Sequence, residues 1–395
     1  MTAMDVHATD RLLLSAVEGK EIPGVVAIAV DDHQRLYEGA FGERSLGGGV
    51  PMTLDTVFWY ASMTKALVAT GAMQLVEQGR VSLDEPIAKV VPGLASPQVL
   101  DGFDGSGRPI LRPAKRPITL RHLLTHTSGF GYDIWNASVE RYMRENAIPL
   151  LVDCKLSSLG QPLAVDPGES WEYGISIDWV GQVVEAVSGM SLEAYLAAHL
   201  FAPLGMSNTA FIIHPRRRPR LATVHQRHPD GSLAPIEHEI SQEPEFFMGG
   251  GGIYGTAGDY AAYVQMMLND GRASDGTSVL KKETIDLMGS NNIGDIEAGV
   301  LKSVLKNLAN DTDFFPGMSQ KWGLSFLINT KDAPNGRSAG SMTWAGLANT
   351  YFWIDRSKRV GGVVMTQILP FGDPSVLELY ESFERSVYRS LTVSA

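Results

Sequence analysis

The chain has 395 residues, 44% of them hydrophobic and 19% charged, enough apolar material for a large buried core, which excludes a disordered or coiled-coil protein. Lys and Arg number 33 against 44 Asp and Glu, a formal charge of −11. An acidic surface repels phosphate backbones and anionic lipid, which argues against nucleic-acid and membrane-surface roles.

Cys154 is the single cysteine, so an intrachain disulfide and a Cys-based zinc site are ruled out. Residues Met1–Leu14 mix Asp5, His7, Asp10 and Arg11 with short apolar stretches, unlike the continuous apolar segment of a signal peptide. The longest apolar run, Gly24–Val30, is far short of a membrane span. The expectation is a soluble, cytoplasmic protein with a small-molecule substrate, no nucleic-acid or membrane partner, and self-association into a homo-oligomer left open.

In chain order, the β-branched run Gly24–Val30 predicts a buried strand, Asp31–His33 a turn, and Leu36–Phe41 its hairpin partner. From Ser62 to Gln78 apolar residues recur at three- and four-residue spacing, predicting a helix stopped by Gly79. The Gly-, Pro- and Asp-rich stretch 101–116 reads as a loop. Helical patterns recur at Ile177–Val187, Leu192–Leu200, Asp259–Leu268 and Ser375–Leu391. Strands return at Lys321–Ile328, Asn349–Ile354 and Val360–Gln367, with a turn at Asp355–Lys358. Two strands at the start and three near the end predict an α/β fold whose antiparallel sheet is built from both chain ends, with a mostly helical region inserted. The expected limits are 1–80, about 141–182 and about 281–395 for the α/β catalytic domain, and about 81–140 and 183–280 for the helical domain, with the site at their interface.

The most informative stretch is Phe58-Trp-Tyr-Ala-Ser62-Met-Thr-Lys65. A serine opening a helix with lysine three residues on puts both side chains on one face of the first turn. The hydroxyl then sits at the positive helix end, where free N–H groups stabilise an oxyanion, and a nearby lysine eases its ionisation. Ser278–Lys281 and Ser303–Lys306 share the spacing but read as solvated surface pairs. An N-cap serine beside a surface lysine would be the plain structural account of Ser62 and Lys65. The apolar lead-in Val57–Ala61 argues for function, because a lysine in such surroundings is expensive without a task.

These residues resemble the S-x-x-K serine hydrolases of the class C β-lactamase and penicillin-binding protein superfamily, and within it the family VIII carboxylesterases. The motifs that carry the resemblance are Ser62-Met-Thr-Lys65, Leu123-Leu-Thr-His-Thr-Ser-Gly129, Pro167-Gly168 leading to Trp171-Glu-Tyr173, Pro203-Leu-Gly-Met206, Gly249–Tyr260 and Trp344-Ala-Gly-Leu347. The resemblance implies a β-lactamase-like fold and makes Tyr173 the third catalytic residue beside Ser62 and Lys65. A phenol of pKa about 10 becomes a base when a cation holds it partly ionised, and Lys65 is that cation; the proton work is assigned to the pair.

Two departures shape the substrate expectation. Where the superfamily has K-T-G on an edge strand, this chain has Trp344-Ala345-Gly346, replacing an anion-recognising cation with an apolar wall. If the register carries over, the backbone N–H of Leu347 joins that of Ser62 in the oxyanion hole. The Asn of Y-x-N is Ile175 here. Losing both groups weakens a β-lactam or peptide reading, whereas an ester needs neither. Phe130, Tyr132 and Trp135, from the loop after Gly129, join Trp344, Gly346 and Ile175 as expected pocket residues.

Weaker signals have plainer accounts. His122 and His126 lie four residues apart without H-E-x-x-H or a third ligand, so no metal is expected, and no cofactor. Gly249–Gly252 is read as a tight turn, and Arg216–Arg220 as a solvated loop answering acidic neighbours. There is no G-x-S-x-G elbow. The sequence thus predicts a serine carboxylesterase acting on short-chain esters through an acyl-enzyme. The rivals are an acyltransferase of the same fold, a β-lactamase or D-amino-acid peptidase, and a catalytically silent binding module.

Overall fold

The structure is a computed structural model and describes residues 4–392. Helix α1 (Val6–Glu18) leads into strands β1 (Gly24–Asp31) and β2 (Arg35–Gly42), joined by a turn in which the Asp31 carboxylate accepts from the N–H groups of His33 and Gln34. Helix α2 (Thr64–Glu77) follows, then a hairpin of β3 (Gln98–Phe103) and β4 (Pro109–Pro113), helix α3 (Ser176–Ser188) and helix α4 (Ala257–Leu268). Strands β5 (Gln320–Trp322), β6 (Leu327–Asn329), β7 (Met342–Gly346), β8 (Thr350–Asp355) and β9 (Val360–Met365) precede the last helix, α5 (Pro374–Thr392).

The main sheet runs β5-β6-β7-β8-β9-β1-β2, antiparallel throughout, so both chain ends build it. Every residue of β1 is buried, which is why it reads as a continuous apolar run rather than an alternation: helices cover both faces. On one face α5 packs, with Phe383 against Tyr37 and Trp353. On the other, Tyr260 of α4 meets Phe352. Adjacent Phe352 and Trp353 point to opposite faces, as the strand period requires. Helix α2 is buried nearly all round and packs against α3; it ends at Gly79, whose φ of +68° is a left-handed stop. Among the described residues no helix is long and apolar enough to cross a membrane.

Three expectations are corrected. Residues 98–113 form a hairpin rather than a loop: Val99 and Leu100 are buried, and Asp104 closes the turn by accepting from Ser106 and Arg108 N–H. Lys321–Ile328 is not one strand but two, folded at Gly323–Phe326, where a Cβ on Gly323 would lie 2.0 Å from the Met288 carbonyl. The C-terminal part gives five strands to the sheet, not three: this split adds one, and Met342–Gly346 adds another. Strand β7 is also internal rather than at the edge, but its ladder to β6 ends at Thr343, leaving Trp344–Gly346 paired only with β8.

Candidate active site

Ser62 lies in a short 3-10 turn, Ala61–Met63, just ahead of α2 rather than within it. The residue before it, Ala61, holds φ +47°, a left-handed conformation that alanine adopts only when its surroundings impose it. Those surroundings include β7: a Cβ on Gly346 would fall 2.2 Å from the Tyr60 carbonyl and 3.2 Å from Ala61 Cβ. Glycine there lets the end of β7 close on the serine turn.

Lys65, one turn on, is 1% exposed. Its Nζ sits 2.9 Å from Ser62 Oγ, 3.1 Å from the Tyr132 hydroxyl and 2.6 Å from the Gly250 carbonyl, so all three ammonium protons have acceptors. Burial pulls its pKa down to about 7, opposed by the charge of Asp178. Asp178, in the first turn of α3, accepts from Gly250 N–H at 2.8 Å, and burial pushes its carboxyl up to about 6 against the pull of Lys65. The glycine turn thus clasps both charges, Gly250 giving its carbonyl to the lysine and its N–H to the carboxylate. A Cβ there would sit 2.5 Å from Asp178 Oδ2 and 2.8 Å from the Tyr132 oxygen.

Tyr173 stands across from Tyr132, ring centroids 5.3 Å apart, with Lys65 Nζ 4.8 Å from the Tyr173 ring centre. Trp344 Nε1 donates to the Tyr173 oxygen at 2.9 Å. The indole is therefore more than the apolar wall expected from sequence, since it supplies an N–H that favours negative charge on the phenol. Burial raises the Tyr173 pKa above its ordinary value, with the Ser62 hydroxyl and the Trp344 N–H opposing. His126 packs beneath Tyr173 at 4.8 Å; burial, and then the Lys65 charge, keep this imidazole neutral. His122 is engaged at a helix N-terminus, its Nδ1 accepting from Thr119 N–H.

Ser62 and Tyr173 open into a cavity of about 270 Å³, walled by Trp59, Tyr132, Trp135, Met248, Trp344 and Phe371 among others. Leu347 also lines it, opening the turn after β7 that Asn349 N–H closes on the Gly346 carbonyl. Of the residues expected in the pocket, Tyr132, Trp135 and Trp344 line it, whereas Phe130, Ile175 and Gly346 do not. Phe130 turns away to stack on Trp179. Ile175 is buried as the residue that precedes α3, and Gly346 acts through backbone approach. The sequence reading missed Asp178, the Gly250 carbonyl and the Tyr132–Lys65 contact. An aspartate five residues beyond Tyr173, inside an apolar helix, is the one local signal for the first. Neither Ser278–Lys281 nor Ser303–Lys306 contributes a residue to the cavity wall, and Arg218 and Arg220 pair with Glu239 and Asp55.

A family model described as Beta-lactamase matches residues 9–382. The monacolin J acid methylbutanoyltransferase of Aspergillus terreus is 30% identical, over 94% of this chain and 93% of its own. The lovastatin esterase of Penicillium rubens is 31% identical, over 96% and 98%. Among solved structures, a LovD6 mutant of simvastatin synthase (LovD) from Aspergillus terreus superposes with a TM-score of 0.85 at 30% identity, covering 98% of this chain and 96% of that one. EstCE1, described as a hydrolase with promiscuous acyltransferase activity, shares the fold, with a TM-score of 0.76 at 21% identity over 97% and 98% of the two chains. The chain belongs to the beta-lactamase family, as a serine hydrolase of the class C β-lactamase and penicillin-binding protein superfamily.

Proposed function

We propose that this chain is an acyl-transferring serine enzyme that takes an acyl group from an ester onto Ser62 and passes it to an alcohol bound in the apolar cavity, with water as the competing acceptor. The observation that carries the reading is a serine–lysine pair opening into a cavity walled by aromatic and aliphatic side chains. Such a wall favours an apolar alcohol over water at the acyl carbon. Relatives named as methylbutanoyltransferases add support. Hydrolysis is the second reading, favoured by the relative named lovastatin esterase and by the expectation of a family VIII carboxylesterase.

Lys65, with its pKa near neutral, takes the Ser62 proton as Oγ attacks the ester carbonyl. The backbone N–H groups of Ser62 and Leu347 receive the oxyanion. Tyr173, which keeps its proton because burial raises its pKa, hands that proton to the departing alkoxide and is reprotonated from Lys65. The second half runs in reverse: the acceptor hydroxyl gives up its proton, its oxygen takes the acyl group, and the Ser62 oxygen recovers a proton. A lactam carboxylate finds no lysine at Trp344, which supports an ester over a β-lactam. Ser62→Ala should keep its far-UV circular dichroism and lose p-nitrophenyl butyrate turnover by roughly a thousandfold or more; wild-type-like turnover in that variant refutes the scheme.

A further inference from the structure

The charges around the cavity are one-sided. Among the described residues that line it there is no Lys or Arg, and the ionisable groups besides the tyrosines are Asp133 and His238. Lys65 reaches its floor but is held by Ser62, Tyr132 and Gly250 and faces Asp178. The basic residues next to the wall residues Leu301 and Leu308, Lys302 and Lys306, pair with Asp311. Lys155, beyond Val152, pairs with Glu245.

Asp133 makes no ion pair among the described residues. Burial pushes its carboxyl up, its own N–H and that of Ile134 oppose this, and the charge acting on it is the like charge of Glu140. His238 packs against Trp59 with the rings tilted and centroids 4.4 Å apart, and its buried Nε2 has no hydrogen-bond partner. Burial keeps that imidazole neutral. Besides the hydroxyls of Ser62, Tyr132 and Tyr173, the cavity therefore offers one carboxylate and one neutral imidazole as polar side chains, inside a wall that ends in a bare apolar lip at Leu150, 55% exposed. The chain's net charge of −11 repels anions before they arrive.

Resting on the acyl-transfer reading, we infer that the cavity takes an apolar alcohol, or the alcohol half of an ester, that is neutral or cationic where it meets Asp133, and that it turns away carboxylates. Two relatives carry in their names an acid and a carboxylate as the compound acylated. A carboxylate brought against Asp133 would stand beside a like charge in an apolar wall with no cation to answer it, which is the repulsive element that specificity needs. A hydroxyl or ammonium there gives the unpaired carboxylate a donor.

The test uses one acetyl ester on three alcohol halves of matched reactivity: para-acetoxyphenylpropionate, its methyl ester, and the corresponding trimethylammonium ester. Wild type should favour the methyl and ammonium esters over the carboxylate by roughly tenfold or more in kcat/KM, and Asp133→Asn should shrink that ratio by roughly fivefold. Dissociation constants in Ser62→Ala, read from quenching of tryptophan fluorescence, should follow the same order. Tight binding of the carboxylate, equal to that of the methyl ester, overturns the inference whatever the turnover, as does a ratio unmoved by Asp133→Asn. Binding in the expected order with no turnover by wild type would sink the acyl-transfer reading and leave this one standing.

Discussion

In the proposed scheme a lysine without solvent is the residue on which the chemistry turns. Lys65 has acceptors for all three of its protons, yet burial leaves its pKa about 7, so a neutral amine is within reach at ordinary pH. Asp178 works the other way, its charge favouring the ammonium form. In the proposed scheme the amine receives the serine proton, so activity rises as pH climbs through the Lys65 pKa. Removing the anion in Asp178→Asn favours the amine and should move that rising limb to lower pH. A pH profile of kcat/KM on p-nitrophenyl butyrate checks this, and an unmoved limb contradicts it. The three-residue spacing that singled out Ser62 and Lys65 is local, and it places their side chains 2.9 Å apart. Asp178 and the Gly250 carbonyl were not legible in the same way. Gly250 reaches Lys65 across 185 positions of sequence, and no local pattern encodes that meeting.

At the scale of elements, the approach of β7 to the serine turn is the demanding contact. Gly346→Ala would press a methyl group to 2.2 Å from the Tyr60 carbonyl, so the strand or the turn must shift. Overpacking of this kind costs about 1–3 kcal/mol. Urea unfolding of the variant should show a loss of that size together with a fall in ester turnover, and full stability with full activity would contradict the contact. Elements with one strong local pattern, an unbroken apolar run or a helical period, were legible: β1, the helix after Ser62 and the last helix sit where the pattern put them, within a few residues. The hairpin at 98–113 was not, because its Gly, Pro and Asp content outweighed the buried pair Val99 and Leu100, although Asp104-Gly105 is a turn signal. The fold at Gly323–Phe326 was hidden because Gly323 and Ser325 are isolated turn residues among the apolar Trp322, Leu324 and Phe326, and the left-handed φ of +76° falls on Ser325 rather than on the glycine.

Across the whole molecule, the sheet closes only when the last strands meet β1, and α5 locks that closure. Arg337, from the loop between β6 and β7, donates to Glu384 of α5 through Nε at 2.7 Å and Nη2 at 2.8 Å, both side chains 2% exposed or less. Arg337→Met strands a buried carboxylate and should cost about 3–5 kcal/mol in denaturant unfolding, while the double change Arg337→Met with Glu384→Leu should recover most of it. A single variant as stable as wild type would contradict the lock. That both chain ends build the sheet was legible from where the apolar runs lie; the depth of this ion pair was not, since charged residues in sequence read as surface.

In the proposed reaction an apolar alcohol intercepts the acyl group on Ser62 ahead of water. The most direct measurement is the product partition, with p-nitrophenyl butyrate as donor and an added apolar alcohol as acceptor, comparing butyrate ester with free butyrate as the alcohol concentration rises. The ester should dominate at alcohol concentrations far below that of water, and both products should vanish in Ser62→Ala. Free butyrate as the sole product at every alcohol concentration would contradict the transfer reading and leave a hydrolase.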